Sequence, residues 1–320
     1  MKKRGISIFM ILLGLVVIAI IVIDFSRNKP GHRGGNPYQY DMESLSAVDP
    51  EIITHRESRN LTLTLEKPAG IAYFNNKLYV IGDQKLMIIE PSGALLHDIS
   101  LPLQPLAVAA GSNFIAITTQ RNLLLLDHAG QLLATWNDFY DNSLLSSVAI
   151  HEQMIFIADA GRRRVYRYTP EGVKELEIDG KRDATDAHGF IVPSGCFDLA
   201  VNDFGELWVA NPGKHALENY SLDGVLRGYW EASFSDVSGF SGCCNPAHFT
   251  FLPDGNFVTS EKGIIRIKEY TPWGNLIGVV AAPSKFVEEG NVPDVAAGND
   301  GTIYAVDPDK RSIRIFESIL

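Results

Sequence analysis

Cysteine is scarce in this chain, with three among 320 residues. An odd number excludes a framework in which every cysteine is paired within the chain. Also missing are a G-x-S-x-G nucleophile turn, a phosphate-binding loop, a Rossmann glycine fingerprint, H-E-x-x-H, C-x-x-C and C-x-x-C-H. Those absences remove the usual signatures of serine hydrolases, nucleotide-dependent enzymes, zinc proteases and covalent haem proteins. Positive charge is short as well. Lys and Arg number 28 against 38 Asp and Glu, and six of the basic residues fall in the first 40 positions beside one Asp. The remaining chain holds 22 basic and 37 acidic residues. That balance argues against nucleic acid, or an anionic lipid surface, as the partner of the folded part.

Long apolar runs are limited to one. Residues 6–23, ISIFMILLGLVVIAIIVI, carry no charge and follow Lys2, Lys3 and Arg4. As a helix this run is roughly 27 Å long, near the ~30 Å hydrocarbon core of a bilayer. The expectation is a transmembrane signal-anchor within residues 1–27, with the rest of the chain on the extracytoplasmic, periplasmic side. A cleaved signal peptide is the rival, although no A-x-A-like site follows the run. Residues 28–51 hold three Pro and three Gly without apolar periodicity, and read as a linker.

From residue 52 onward the chain is repetitive. A phrase of short strand-like runs separated by turns recurs at about 66–101, 102–139, 144–181, 190–235, 243–286 and 291–319. Four such runs per unit at this period point to an all-β fold, a six-bladed β-propeller over residues 52–320. The sixth copy ends one strand short. The run Ile52–Leu65 belongs to no copy, so it is expected to supply that strand and close the ring, leaving no open edge.

Copies three to six share a second feature. A strand ends in an acidic or amide residue, a turn follows, and the next strand carries an aromatic residue near its end. The residues are Asp159, Gly161, Arg164 and Tyr168; Asn211, Gly213, His215 and Tyr220; Glu261, Gly263, Arg266 and Tyr270; and Asp307, Arg311, Arg314 and Phe316. This pattern resembles the NHL-repeat family of propellers, with copies one and two departing through shorter turns. The resemblance implies a platform for protein or RNA, a lyase, or a structural module, and so fixes no function. Six-bladed lactonases and amidating lyases of similar build set carboxylates, amides or imidazoles around a divalent ion, and oxygen ligands on such an axis would suit Ca²⁺. The bland reading of Asp159, Asn211, Glu261 and Asp307 is that they brace tight turns.

The three cysteines cluster in the pattern. Cys196 precedes the first strand of copy four, and Cys243 and Cys244 precede the first strand of copy five. Aligning those strands places Asp198 and His248 at equivalent positions, and the fold would bring Cys196, Cys243, Cys244 and His248 to one face. Thiolates with an imidazole suit Zn²⁺ or Cu⁺. A disulfide, vicinal or between blades, and inert packing are the alternatives. The phrase GCCNPAHFTF with SEKG is similar to one in bacterial exported NHL-like proteins, which implies that residues 242–248 and 260–263 form a site. Asn245 and Lys262 therefore join the expected face, together with His188 on the long connection before copy four. Trp208, Trp230, Trp273 and Tyr229 are expected between blades. The functional expectation is a tethered binding or assembly platform whose face takes a protein or small ligand. The rival is a metal, redox or lyase site.

Overall fold

A computed structural model describes residues 12–21, 23, 46–182, 185, 186, 188–234, 236–242 and 244–319. The chain divides into two compact units, 1–42 and 43–320.

In the first unit, residues 12–21 form a helix, α1, whose apolar side chains are exposed on every side. Among the described residues no helix is long and apolar enough to cross a membrane. This overturns the expected anchor over 6–23 and, with it, the extracytoplasmic placement that rested on it. Residues 6–11 and 22 of that run, and the linker up to residue 45, lie outside the described residues.

Among the described residues of the second unit, 24 strands form six four-stranded antiparallel sheets. Blade 1 contains β2 (Pro68–Phe74), β3 (Lys77–Gly82), β4 (Lys85–Ile89) and β5 (Leu95–Ser100). Blade 2 contains β6 (Ala107–Ala110), β7 (Ile115–Thr118), β8 (Leu123–Leu126) and β9 (Leu132–Trp136). Blade 3 contains β10 (Leu145–His151), β11 (Met154–Asp159), β12 (Arg164–Tyr168) and β13 (Lys174–Ile178). Blade 4 contains β14 (Leu199–Val201), β15 (Leu207–Asn211), β16 (Ala216–Tyr220) and β17 (Leu226–Glu231). Blade 5 contains β18 (His248–Phe251), β19 (Phe257–Glu261), β20 (Arg266–Tyr270) and β21 (Leu276–Ala281). Blade 6 contains β22 (Asp294–Ala297), β23 (Ile303–Asp307) and β24 (Ser312–Ser318), and its fourth strand is β1 (His55–Thr62) from the start of the domain.

The closing strand β1 pairs with β24 from His55↔Ser318 to Thr62↔Ser312. Fully buried Arg314 on β24 fastens it, donating from Nη2 to Glu57 Oε2 at 2.6 Å and from Nη1 to Asp307 Oδ2 at 3.2 Å. Apolar clusters fill the gaps between blades, one for each of the six junctions. The turn between the third and fourth strands of blades 1 to 5 carries Gly93, Gly130, Gly172, Gly224 or Gly274, all with φ between 80° and 99°. Only glycine takes that left-handed conformation at little cost, which is why the repeat shows Gly there.

Aromatic packing departs from expectation at two positions. Trp208 and Trp230 are buried against Phe257 between blades 4 and 5. Trp273 is 83% exposed in an outer turn, and Tyr229 lies at the surface beneath the Arg182 guanidinium.

Candidate functional site

The repeated acidic or amide residue caps the second strand of each of blades 3 to 6, and its side chain holds backbone. Asp159 Oδ1 accepts from the amides of Leu144 (3.0 Å) and Arg162 (3.1 Å). Asn211 Oδ1 accepts from Ile191 N at 2.9 Å, while its Nδ2 donates to Glu218 Oε1 at 3.0 Å. Asp307 accepts from Lys310 N and Arg314. Glu261 is the most heavily used: Arg266 Nε and Nη2 donate to it at 3.1 and 3.0 Å, and Lys268 Nζ lies 2.7 Å away. All four side chains, and that of Asn245, are buried. They hold the loop that leads into the same or neighbouring strand, rather than face solvent. Sequence reasoning missed that blade 1 does the same with Asp83, which accepts from Glu66 N and Lys67 N, and that blade 6 adds Asp309, which accepts from Asn291 N. A one- or two-residue shift of the acid past the strand end concealed both.

Blades 4 and 5 elaborate this plan. Their inbound loops, 179–198 and 232–247, are the long ones. Lys268 and Arg266, both buried on β20, reach under the second loop. Lys268 Nζ donates to Val237 O and Gly239 O at 2.8 Å each, and Arg266 Nη2 donates to Gly239 O at 2.9 Å. Tyr270 Oη adds a bond to Ser238 O at 2.9 Å. Burial lowers the Lys268 pKa to about 8, against the pull of Glu261 in the other direction. Buried Glu218 in blade 4 is pushed up by the same desolvation and accepts from Tyr220 Oη at 2.8 Å.

The second loop also binds the turn after β19. Asn245 Nδ2 donates to Lys262 O at 3.0 Å and to Ser241 O, and Lys262 N donates to Asn245 Oδ1 at 2.9 Å; the Asn245–Pro246 peptide is cis. His215 Nε2 contacts Gly242 O at 2.6 Å. So held, Lys262 extends across to blade 4, where its Nζ donates to Ser194 Oγ at 3.1 Å. Cys196 sits beside that contact, half-buried, with its amide directed at Ser194 Oγ (3.4 Å). Burial raises the Cys196 thiol pKa, while the Ser194 hydroxyl and Lys262 ammonium oppose the rise and the nearby Cys244 adds to it. Cys244 is buried; Cys243 lies outside the described residues. His188 is exposed, its amide bonded to Asp186. Cys196 thus has Cys244 and Lys262 nearby, while Cys243, the third thiol of the expected Cys196–Cys243–Cys244–His248 group, lies outside the described residues. Among the described residues, however, no group of three His, Cys, Asp or Glu is spaced to hold a metal ion, whether Zn²⁺, Cu⁺ or Ca²⁺.

His248 belongs to a different layer, the mouth of the central channel. This channel is a cavity of about 200 Å³ lined by the innermost strands of all six blades. Strand register makes Gly70, Ala107, Ser147, Asp198, His248 and Asp294 equivalent around it. The polar members link neighbouring blades. Leu199 N donates to Ser147 Oγ (3.3 Å), Phe249 N to Asp198 Oδ2 (2.9 Å) and Ile71 N to Asp294 Oδ2 (2.9 Å). His248 Nδ1 stands 3.8 Å from Asp198 Oδ2 and 3.6 Å from Asp294 Oδ1. Desolvation raises both carboxyl pKa values, that of Asp294 to about 6, and the imidazole opposes it. Asp294 was absent from the sequence-derived site, although aligning Asp198-Leu-Ala-Val, His248-Phe-Thr-Phe and Asp294-Val-Ala-Ala would have found it.

No family model matches the chain, and no curated protein matches it in sequence. Solved structures do match in shape. A streptogramin B lyase structure aligns at TM-score 0.59 and 13% identity, covering 83% of this chain and 98% of that one. The WD40 β-propeller domain of Doa1 aligns at 0.57 and 11%, covering 82% and 97%. Virginiamycin B lyase from Staphylococcus aureus aligns at 0.54 and 12%, covering 83% and 100%. At such identities these similarities establish the β-propeller fold alone.

Proposed function

We propose that this protein is a binding platform whose working face is the entrance above blades 4 and 5, formed by loops 179–198 and 232–247. One observation carries the reading. A buried Glu261–Arg266–Lys268 cluster grips the second loop, although the third strand of a blade needs no such buried charge, as the aliphatic ones of blades 1 and 2 demonstrate. Buried ion pairs seldom add net stability over an apolar core, so their use here supports a role in holding loop shape. The entrance carries Lys262 and Cys196 about Ser194, and His188 bonded to Asp186, which with Arg182, Lys214 and Glu231 lines a cavity of about 400 Å³. A mixed polar face of this kind suits a protein segment or a small polar ligand, and the acidic domain disfavours nucleic acid. The lyase alternative rests on fold likeness, and no metal-spaced group among the described residues favours it.

Site-specific photocrosslinking in cells tests the reading. A photoreactive residue at His188 should yield a discrete adduct, reproducible and competed by excess unmodified protein. The same probe at Phe204, on the opposite face, should not. Adducts from Phe204 alone would overturn it.

A further inference from the structure

The repeat sets an aromatic ring at the end of the third strand in blades 3 to 6: Tyr168, Tyr220, Tyr270 and Phe316. In blades 3 to 5 a second ring meets it from the inbound loop, with Phe139–Tyr168, Phe190–Tyr220 and Phe240–Tyr270 centroids 5.8, 5.9 and 5.5 Å apart. In blades 5 and 6 such rings embrace a cation two residues earlier on the strand. Lys268 Nζ lies 5.1 and 5.0 Å from the Phe240 and Tyr270 centroids, and the Arg314 guanidinium carbon 4.7 and 5.3 Å from those of Phe286 and Phe316. These distances fall inside the ~6 Å reach of a cation–π contact. Blade 3 has Tyr166 at that strand position, which adds a third ring and no charge. Its neighbouring cations stand over other rings, Arg162 over Tyr140 at 3.7 Å and Lys174 over Tyr166 at 5.3 Å.

In blade 3 the pair borders a cavity of about 350 Å³ between the outer strands of blades 2 and 3. Trp136, which ends β9, forms one wall; Phe139, Tyr140 and Tyr168 form others. Trp136 and Tyr168 are 5.4 Å apart and inclined by 38°, and Phe139 is inclined to Tyr168 by 57°. The rings thus face the space from several directions, as a cage does, rather than offering one flat stacking surface. Gly172 keeps it open beside the indole, since a Cβ there would stand 3.3 Å from Trp136 Nε1. Two charged side chains reach the wall. Lys174 is paired with Glu177 at 3.2 Å. Asp138 has no Lys, Arg or His partner among the described residues, so the unpaired charge is negative.

We propose that this cavity binds the trimethylammonium head of a small solute such as choline. Ring faces and one carboxylate attract a positive charge, and a methylated cation asks for no further hydrogen-bond acceptors. The volume is more than twice the ~150 Å³ that accommodates benzene, so the head and a short arm fit. The site involves other blades than the entrance above blades 4 and 5, and either reading can fail alone.

Calorimetry on the full chain with choline chloride is the test, and saturable binding is expected. Dimethylbutanol, the uncharged carbon isostere of choline, should bind about tenfold more weakly or worse, because only the cation is drawn to the ring faces. Trp136→Leu should weaken choline roughly tenfold, and Asp138→Asn about threefold. Trp273→Leu, in an exposed turn of blade 5, should leave the affinity unchanged. Should Trp136→Leu not fold, the wild-type protein decides by NMR: the Trp136 indole N–H signal must shift and saturate with choline while that of Trp273 stays fixed. No saturable binding to folded protein, equal affinity for the isostere, equal affinity in Asp138→Asn, or an unmoved Trp136 would overturn the proposal. Cosedimentation with phosphatidylcholine vesicles without binding of free choline would assign the head group to a lipid, and would equally overturn the small-solute reading.

Discussion

Blades 1 and 2 and blades 4 and 5 have the same four-strand plan and opposite interiors. The third strands of blades 1 and 2, Lys85–Ile89 and Leu123–Leu126, bury aliphatic side chains. Those of blades 4 and 5 bury Glu218, Arg266 and Lys268. At the channel mouth the first pair offers Gly70 and Ala107, and the second Asp198 and His248. The connections differ in parallel: 101–106 runs directly into blade 2, whereas 232–247 arches over blade 5 and is bonded from beneath. Hydrophobic burial alone therefore suffices to close a blade in this molecule. The charged interior accompanies the long loops, which locates its purpose in the loops.

Removing Glu261 should break the comparison hardest. Glu261→Ala leaves Arg266 and Lys268 buried without their carboxylate, a loss of about 3–5 kcal/mol. Thr119→Ala at the corresponding end of blade 2 removes a hydroxyl bonded to Asn122 N at 3.0 Å, and should cost about 0.5–1.5 kcal/mol. Urea unfolding of both variants gives the ratio. Equal losses would show that the two interiors are energetically alike. Arg314→Met comes next, at about 3 kcal/mol, because Glu57 and Asp307 lose a fully buried partner at the closing strand. Its signature is local: hydrogen exchange should accelerate first in β1 and β24, and acceleration spread evenly over all blades would count against a closing role.

The pH dependence of stability is a smaller effect. The carboxyl of Asp294 titrates near 6 in the folded chain and near 3.8 when unfolded. Between those values the folded state holds the extra proton, so stability falls as pH rises from about 4 to 6. The full shift corresponds to about 3 kcal/mol, and the one-fifth exposure of the side chain to the channel reduces it towards 1–2. Asp294→Asn should flatten that segment of the stability profile. A profile unchanged by Asp294→Asn would remove the channel mouth from the account of acid stability.

The scaffold was legible because repetition encodes it. Four apolar runs per unit, Gly at the outer turns and an unassigned strand before the first unit give six blades and their closure. The interior of blade 5 was not legible. Glu261-Lys262 reads as an exposed turn pair, yet Glu261 is buried and its partners are Arg266 and Lys268 on the next strand. Charged residues at alternate strand positions normally mark a solvent-facing side. Here the long loop covers that side and supplies carbonyls to it, a tertiary fact absent from strand periodicity. The apolar run at 6–23 led to an anchor, whereas among the described residues no helix is long and apolar enough to cross a membrane.

The smallest predicted effect tests whether the entrance above blades 4 and 5 acts as one electrostatic unit. Lys262 is tied to its own loop through Asn245 and reaches the blade-4 loop through Ser194, next to Cys196. Its ammonium favours the Cys196 thiolate, while burial disfavours it more strongly. Lys262→Met keeps most of the apolar stem and removes the charge. Stability should change by less than about 1 kcal/mol, the usual range for a partly exposed charge. The thiol pKa should rise further, so alkylation of Cys196 by iodoacetamide near neutral pH should slow several-fold, because the thiolate is the reacting species. Peptide mass spectrometry separates Cys196 from the other two cysteines. Faster alkylation would mean that Lys262 shields the thiol sterically, and that the two loops meet by packing instead of by charge.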